Sequence, residues 1–246
     1  MRRPDTASAA NLTLKATGVL RHTAARATHG KAIGVIKVPI ARQSGYLIDM
    51  IAPLQDLQHA LADAVGMYEA SGNMGALMKR LHELRDSVMP DALVSAAEPW
   101  LHMPEVAGPL YERIVEDQPR NARAMVILAN AYWLSGRGPE VVGELAARAL
   151  SVDPENRGAW HMWALTEGNP RDRTTRWLQV TLRFPTDQLA KAALADNAAS
   201  LAGAEQDREA LHLAIKTYEE LRAASTSAEQ QGALDKALTT LKGWKL

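Results

Sequence analysis

The sequence predicts an all-α fold of antiparallel helix pairs, preceded by a poorly structured basic tail. Three observations predict it. First, six of the twelve prolines form three pairs with one internal offset, Pro104 and Pro119, Pro139 and Pro154, Pro170 and Pro185, each pair 15 residues apart. Proline is tolerated at the first helical position, where its missing N–H has no partner, and past a helix end it blocks continuation. Each pair therefore brackets one helix of about 12–14 residues, near the usual length. Second, apolar residues beyond Ile51 recur at spacings of three and four, the helical period, and no stretch alternates long enough to make a strand. Third, charge divides the chain. Residues 1–48 hold eight basic side chains against Asp5 alone, and a formal net charge of zero leaves the other 198 residues at −7.

That first stretch is rich in Ala, Thr, Ser and Gly, and Ala32–Ile40 is at most a short strand-like run. No apolar segment of signal-peptide length follows Arg2-Arg3, so neither a secretory nor a twin-arginine signal is expected. Three readings stand for it: a disordered basic extension, a cleaved organellar address, or an upstream stretch with ordered protein beginning near Met50. Next, Leu54, Leu57, Leu61, Ala64 and Met67 share one helix face, ended by Gly72-Asn73. A second stripe runs through Leu77, Leu81 and Leu84. The helix opened by Pro104 contains Gly108-Pro109, and an interior proline costs about 3 kcal/mol, so it should kink or start late. Between Pro139 and Pro154 the stripe is Val141, Val142, Leu145, Ala146, Ala149 and Leu150; between Pro170 and Pro185 it is Trp177, Val180 and Thr181. After each closing proline stands a helix-capping residue, Asn121, Asn156 or Asp187, so second helices follow at about 122–134, 157–167 and 187–202. A further stripe, Leu211, Ile215, Tyr218 and Leu221, precedes Thr226-x-x-Glu229, a capping box. That box opens a last helix striped by Leu234, Ala237, Leu238 and Leu241.

The unit is a helix–turn–helix with a period in the low thirties, and it resembles the tetratricopeptide repeat (TPR) family of α-solenoids. The best unit is 122–156. Its Leu128-Ala129 stands for the family's Leu-Gly pair, Tyr132 for the later aromatic, Gly136 for the turn glycine, and Ala149 and Pro154 for the closing Ala and Pro. Met125 replaces the usual Trp, while Val141 replaces a small Ala. The next unit restores Trp160 and adds Trp163-Ala164 and Pro185; the preceding one keeps Ala107, Tyr111 and Pro119. The resemblance implies a short right-handed superhelix, with the clearest repeats over 88–224. The expected layout is a basic extension at 1–48, a helical array at 49–225 and a solvating end helix at 226–246.

The resemblance also implies a concave groove lined by the first helix of each unit. It places Arg123, Val126, Ile127, Asn130, Trp133 and Leu134 there from the best unit, His161, Met162 and Leu165 from the next, and Asp196 from the fourth. Such a lining is apolar and aromatic with a few polar handles, the composition of a binding hot spot. Some family members clamp the carboxylate of an acidic C-terminal tail. Here Asn130 matches that clamp, but Val126 and Met162 occupy places that need polar or basic residues, so an apolar or helical segment is the expected partner. Plain packing is the competing reading for Trp160 and Trp177, and for Met162 as a gap-filler.

Catalysis finds no footing in the sequence. No two of the seven histidines lie three or four apart, and there is no His-Glu-x-x-His pair, Gly-x-Ser-x-Gly elbow or phosphate loop. Gly136-Arg-Gly138 is a turn between helices, and Glu112, Glu116 and Asp117 read as a solvated helix end. No cysteine is present, which removes disulfides and thiolate metal sites. No catalytic residue, cofactor, metal or small-molecule substrate is expected. The expected function is a non-enzymatic protein-binding adaptor, placed in the cytoplasm because no signal or membrane span is evident. Two alternatives stand beside it: attachment to nucleic acid or a membrane surface through residues 1–48, and an enzyme with an unrecognised site in a helical scaffold.

Overall fold

The computed structural model describes the backbone of residues 40–246 and the side chains of residues 54–246. Among the described residues there are eleven α-helices, one turn of 3-10 helix and no strand. They fall into two compact units, divided between Ala159 and Trp160.

The first unit opens with α1 (Ile40–Ser71), whose 32 residues make a rod of about 48 Å. The basic stretch of residues 1–48 therefore ends inside a helix, and that helix passes through Met50 without a break. Residues 1–39, with the strand-like run before Ile40, lie outside the described residues. Leu57, Leu61, Ala64 and Val65 form the buried stripe of α1. Met67 departs from the expected face. It is 70% exposed, because the stripe drifts toward Val65 as 3.6 residues per turn requires. Gly72 takes φ +66° and ends the helix. Asn73 does not share that role; its side chain accepts the Ala76 N–H at 3.0 Å and caps α2 (Met74–Asp86). Leu77, Leu81 and Leu84 are buried, as the stripe predicted.

Helix α3 (Pro90–Ala97) and the 3-10 turn Glu98–Trp100 lead into α4 (Pro104–Asp117). Of the two outcomes expected of Pro109, the late start is not found. The helix starts at Pro104 and runs through Pro109 to Asp117. Val106, Ala107, Gly108, Pro109, Leu110 and Tyr111 are six consecutive buried residues, so α4 is covered nearly all round by α2, α3 and α5. That burial outweighs the lost backbone bond. The Pro109 carbonyl also accepts from Arg85 Nη1 at 3.0 Å.

Helix α5 (Ala122–Leu134) then pairs with α6 (Pro139–Val152). The turn between them is built on Gly136 at φ +72° and Gly138 at φ +94°, where an L side chain is strained. In α6, Val142, Leu145, Ala146 and Ala149 are buried. Val141 was expected in that stripe but stands 43% exposed at its edge. Helix α7 (Arg157–Leu165) carries the division between units.

The second unit holds the rest of α7, then α8 (Pro170–Arg183), α9 (Gln188–Glu205), α10 (Arg208–Ala224) and α11 (Ala228–Lys242). Packing is sequential: α8 on α9, α9 on α10, α10 on α11. Trp177 is buried with Ala164, Val180, Ala190 and Leu194, and Trp160 packs against the edge of that cluster. The three capping residues read from the sequence all cap. Asn121 accepts the Ala124 N–H at 2.9 Å, Asn156 that of Ala159 at 3.1 Å, and Asp187 those of Leu189 and Ala190 at 3.0 and 3.1 Å. At α11 the cap is Ser227, which accepts the Gln230 N–H at 3.3 Å, one residue beyond the expected Thr226. Its exposed face carries Glu229, Gln230, Lys236 and Lys242. Proline-bounded helices followed by capped second helices recur along the described residues.

Candidate partner-binding face

Helix α5 carries apolar residues on both of its faces. Ala124, Met125, Leu128, Ala129 and Ala131 are buried, and they form the face on which α5 packs with α4 and α6. Ala129 and Ala131 are small, so the helices approach closely. The other face carries all six residues expected there: Arg123, Val126, Ile127, Asn130, Trp133 and Leu134. Helical spacing brings them into one stripe. Trp133 is 36% and Leu134 59% exposed, while Val126, Ile127 and Asn130 are half-buried.

Each of the six has a distinct setting. Arg123 Nη1 lies 2.6 Å from Glu98 Oε1 and is tied to the 3-10 turn. Val126 is overlain by the first turn of α7, where a Cβ on Gly158 would come within 2.7 Å of Val126 Cγ1. That glycine is thus a contact requirement, and Val126 offers a partner less surface than the resemblance implied. Asn130 makes no side-chain hydrogen bond among the described residues. Trp133 and Leu134 close the stripe where Ser135 and Gly136 end the helix.

The remaining four expected residues belong to the second unit. His161 Nε2 lies 2.8 Å from Asp187 Oδ2, and its ring meets Trp177 edge to face at 5.4 Å. Asp187 caps α9 with its other oxygen, so His161 braces a helix start. Leu165 packs against the Trp177 cluster, and Met162 is half-buried. Asp196 accepts the Tyr218 hydroxyl. Three of the four are thereby engaged inside their own unit.

The sequence did not disclose a carboxylate hub in the first unit. Glu112 accepts the Tyr132 hydroxyl at 2.8 Å, and it pairs with Arg85 at 3.2 Å and Arg137 at 3.4 Å. Arg137 also stacks over the Tyr132 ring at 4.6 Å. The solvated helix end expected of Glu112, Glu116 and Asp117 is therefore wrong for Glu112, although Glu116 is exposed and Asp117 pairs with Arg113 of its own helix. These partners stand 20–27 residues away in sequence, which no local pattern reports.

Three tyrosines hold their protons unusually tightly. Burial, with Glu98 as the second cause, pushes Tyr111 up to about 12. Burial and the hydrogen bond to Glu112 push Tyr132 up to about 12. Burial and Asp196 push Tyr218 higher still. A folded pKa above the unfolded one stabilises below the unfolded value, and the gain is lost as pH rises through the folded one. Melting temperature should therefore fall steeply above pH 10. By ultraviolet absorbance, these three phenols should ionise above pH 10 in the native chain and together near pH 10.0 in denaturant. Native ionisation of all tyrosines near pH 10 would contradict the buried settings.

Among the described residues, no three His, Asp or Glu side chains gather as a metal site, and no helix is long and apolar enough to cross a membrane. No family model matches the chain, and no curated protein matches it. Solved structures do resemble it. One is the MamA protein, with 13% identity, covering 70% of this chain and 98% of that one at a TM-score of 0.49. Another is TTC0263, a thermophilic TPR protein in Thermus thermophilus, with 19% identity, 74% and 99% coverage and a TM-score of 0.49. A second MamA structure shares 12% identity over 63% of this chain and 94% of that one, at a TM-score of 0.46. The helix-pair repeat rests on this chain's own proline-bounded, Asn- and Asp-capped helices rather than on these likenesses.

Proposed function

We propose that this chain is a non-enzymatic adaptor whose α5 outer face binds an apolar, helical segment of another protein. The observation that carries the proposal is the pair Trp133 and Leu134, large apolar side chains left 36% and 59% exposed on a helix whose opposite face is already buried. Ile127 lies about two turns before them on the same stripe, and Asn130 brings an amide with no partner of its own among the described residues. An amphipathic helix would lay its apolar residues along such a stripe at matching spacing. Tryptophan anchors with a polar neighbour dominate interface energetics, and truncating one costs about 2 kcal/mol or more. Within the second unit, His161, Met162, Leu165 and Asp196 stay proposed contact residues.

Replacing Asn130 and Trp133 together by alanine tests the reading. Partner binding should weaken about 30-fold or more, with helicity and melting temperature nearly unchanged, because neither residue is on the buried face. If the double variant melts as badly as a change on that buried face, the outer-face assignment is wrong.

A further inference from the structure

Helices α1 and α2 pack on each other, α1 also on α3 and α2 also on α4. Between α1 and α2 lies a groove of about 730 Å³. Ala60, Met67, Tyr68 and Leu77 give it apolar surface, and Met67 stands 70% exposed there. Asp56 and Asp63 line it from α1, seven residues and about 10 Å apart. Both are exposed, and neither has an ion-pair partner among the described residues. Arg80, on the α2 side of the groove, already pairs with Glu83 at 3.1 Å. The groove therefore offers apolar surface edged by two uncompensated carboxylates.

In a stacked helical array each element is covered by its sequence neighbours. The neighbour of α1 on its N-terminal side is the segment that ends at Pro39. Residues 24–39 carry Arg26, Lys31 and Lys37 with no acid, set among Ala, Gly, Val and Ile. They complement the groove in charge and in apolar character. The lengths also agree. Asp56 and Asp63 lie 16 and 23 residues beyond Ile40, about 24 and 35 Å along α1. Extended chain covers those distances in about seven and eleven residues. Lys31 and Arg26 stand nine and fourteen residues before Ile40, so both reach with a margin for the turn.

We infer that the α1–α2 groove is the docking site of the chain's own residues 24–39, running antiparallel to α1, with Lys31 against Asp56 and Arg26 against Asp63. Ala24 and Ala25 then fall over Met67 and Tyr68, where small side chains suit a groove between two helices. The tether supplies an effective concentration in the millimolar range, so the segment outcompetes a free basic peptide of equal affinity. Docking covers the first helix pair of the array. It also pairs these basic groups with the chain's own carboxylates rather than with nucleic acid or anionic lipid. The inference is independent of the α5 outer face.

The chain has no cysteine, so Thr28→Cys carries a nitroxide label at one place only. In full-length protein so labelled, with carbon-13 in the methionine methyls, the Met67 signal is assigned by Met67→Leu. That signal should lose most of its intensity relative to the chemically reduced label. The loss should shrink severalfold in 1 M salt, where the screening length is about 3 Å. It should shrink likewise in the Asp56→Asn, Asp63→Asn double variant, whose altered side chains make no hydrogen bond or ion pair among the described residues. A Met67 signal of full intensity beside the active label overturns the docking. A loss that the double variant leaves unchanged overturns the pairing with Asp56 and Asp63. Labelled protein mixed with unlabelled carbon-13 protein should leave Met67 unchanged; equal broadening there overturns the own-chain occupant in favour of a second copy.

Discussion

Leu128→Ala is expected to cost about 2–5 kcal/mol, the range for deleting a buried leucine where neighbours relax only partly. Leu128 is 4% exposed on the face that α5 turns to α4 and α6, beside Ala124, Ala129 and Ala131. Those neighbours are alanines on a rigid helix and cannot swing in to fill the space. The loss should appear as a lower urea midpoint with little change in slope. Leu134→Ala, on the other face of the same helix, should stay within about 0.5 kcal/mol. Equal losses from the two would mean that α5 has no free side.

The second large effect lies in the other unit. Ala198→Leu is expected to cost about 1–3 kcal/mol by overpacking. Helix α9 carries Ala190, Ala195, Ala198, Ala199 and Ala202, all buried, and α10 answers with Ala210 and Ala214. Small side chains on both helices let the rods lie close, and a leucine has no void to enter. Ala204, near the end of α9, is exposed, so Ala204→Leu is the matched control and should be nearly silent. Thermal melts of the two variants separate close packing from a general effect of added bulk.

What could be read from the sequence was whatever is local. Prolines 104, 139 and 170 each open a helix in the structure, and Asn121, Asn156 and Asp187 each cap one, because both devices act within a single turn. Helix α5 falls on 122–134, the span its flanking cap and glycine define. Helix α9 runs three residues past the expected 202, because Gln206 takes the left-handed conformation, φ 56°, that glycine usually marks. Pro109 does not delay the start of α4 for the opposite reason: its local cost was legible, and the burial around it was not. Val141 and Met67 are apolar residues at the edges of their stripes, where a spacing of three or four does not say which side the neighbour covers.

The candidate face was legible only as a row of positions. Their spacing places Arg123, Val126, Ile127, Asn130, Trp133 and Leu134 on one side of α5, where each is exposed or half-buried. The setting of each residue comes from elsewhere in the chain. Glu98 reaches Arg123 across 25 residues, and Gly158 covers Val126 from 32 residues on. Likewise His161 finds Asp187 26 residues away and braces the start of α9. Such pairs depend on how helices dock, and single-helix periodicity carries no information about docking.

Amide hydrogen exchange across the full chain tests the central claim most directly, because it reports which backbone bonds are shielded and where shielding stops. The account predicts protected blocks at 104–117, 122–134, 139–152, 170–183 and 188–205, separated at the turns by fast exchange of the Arg120, Gly138 and Thr186 amides, which donate to no backbone carbonyl among the described residues. Protection running unbroken through those turns, or α5 exchanging as fast as the turns beside it, would contradict the account.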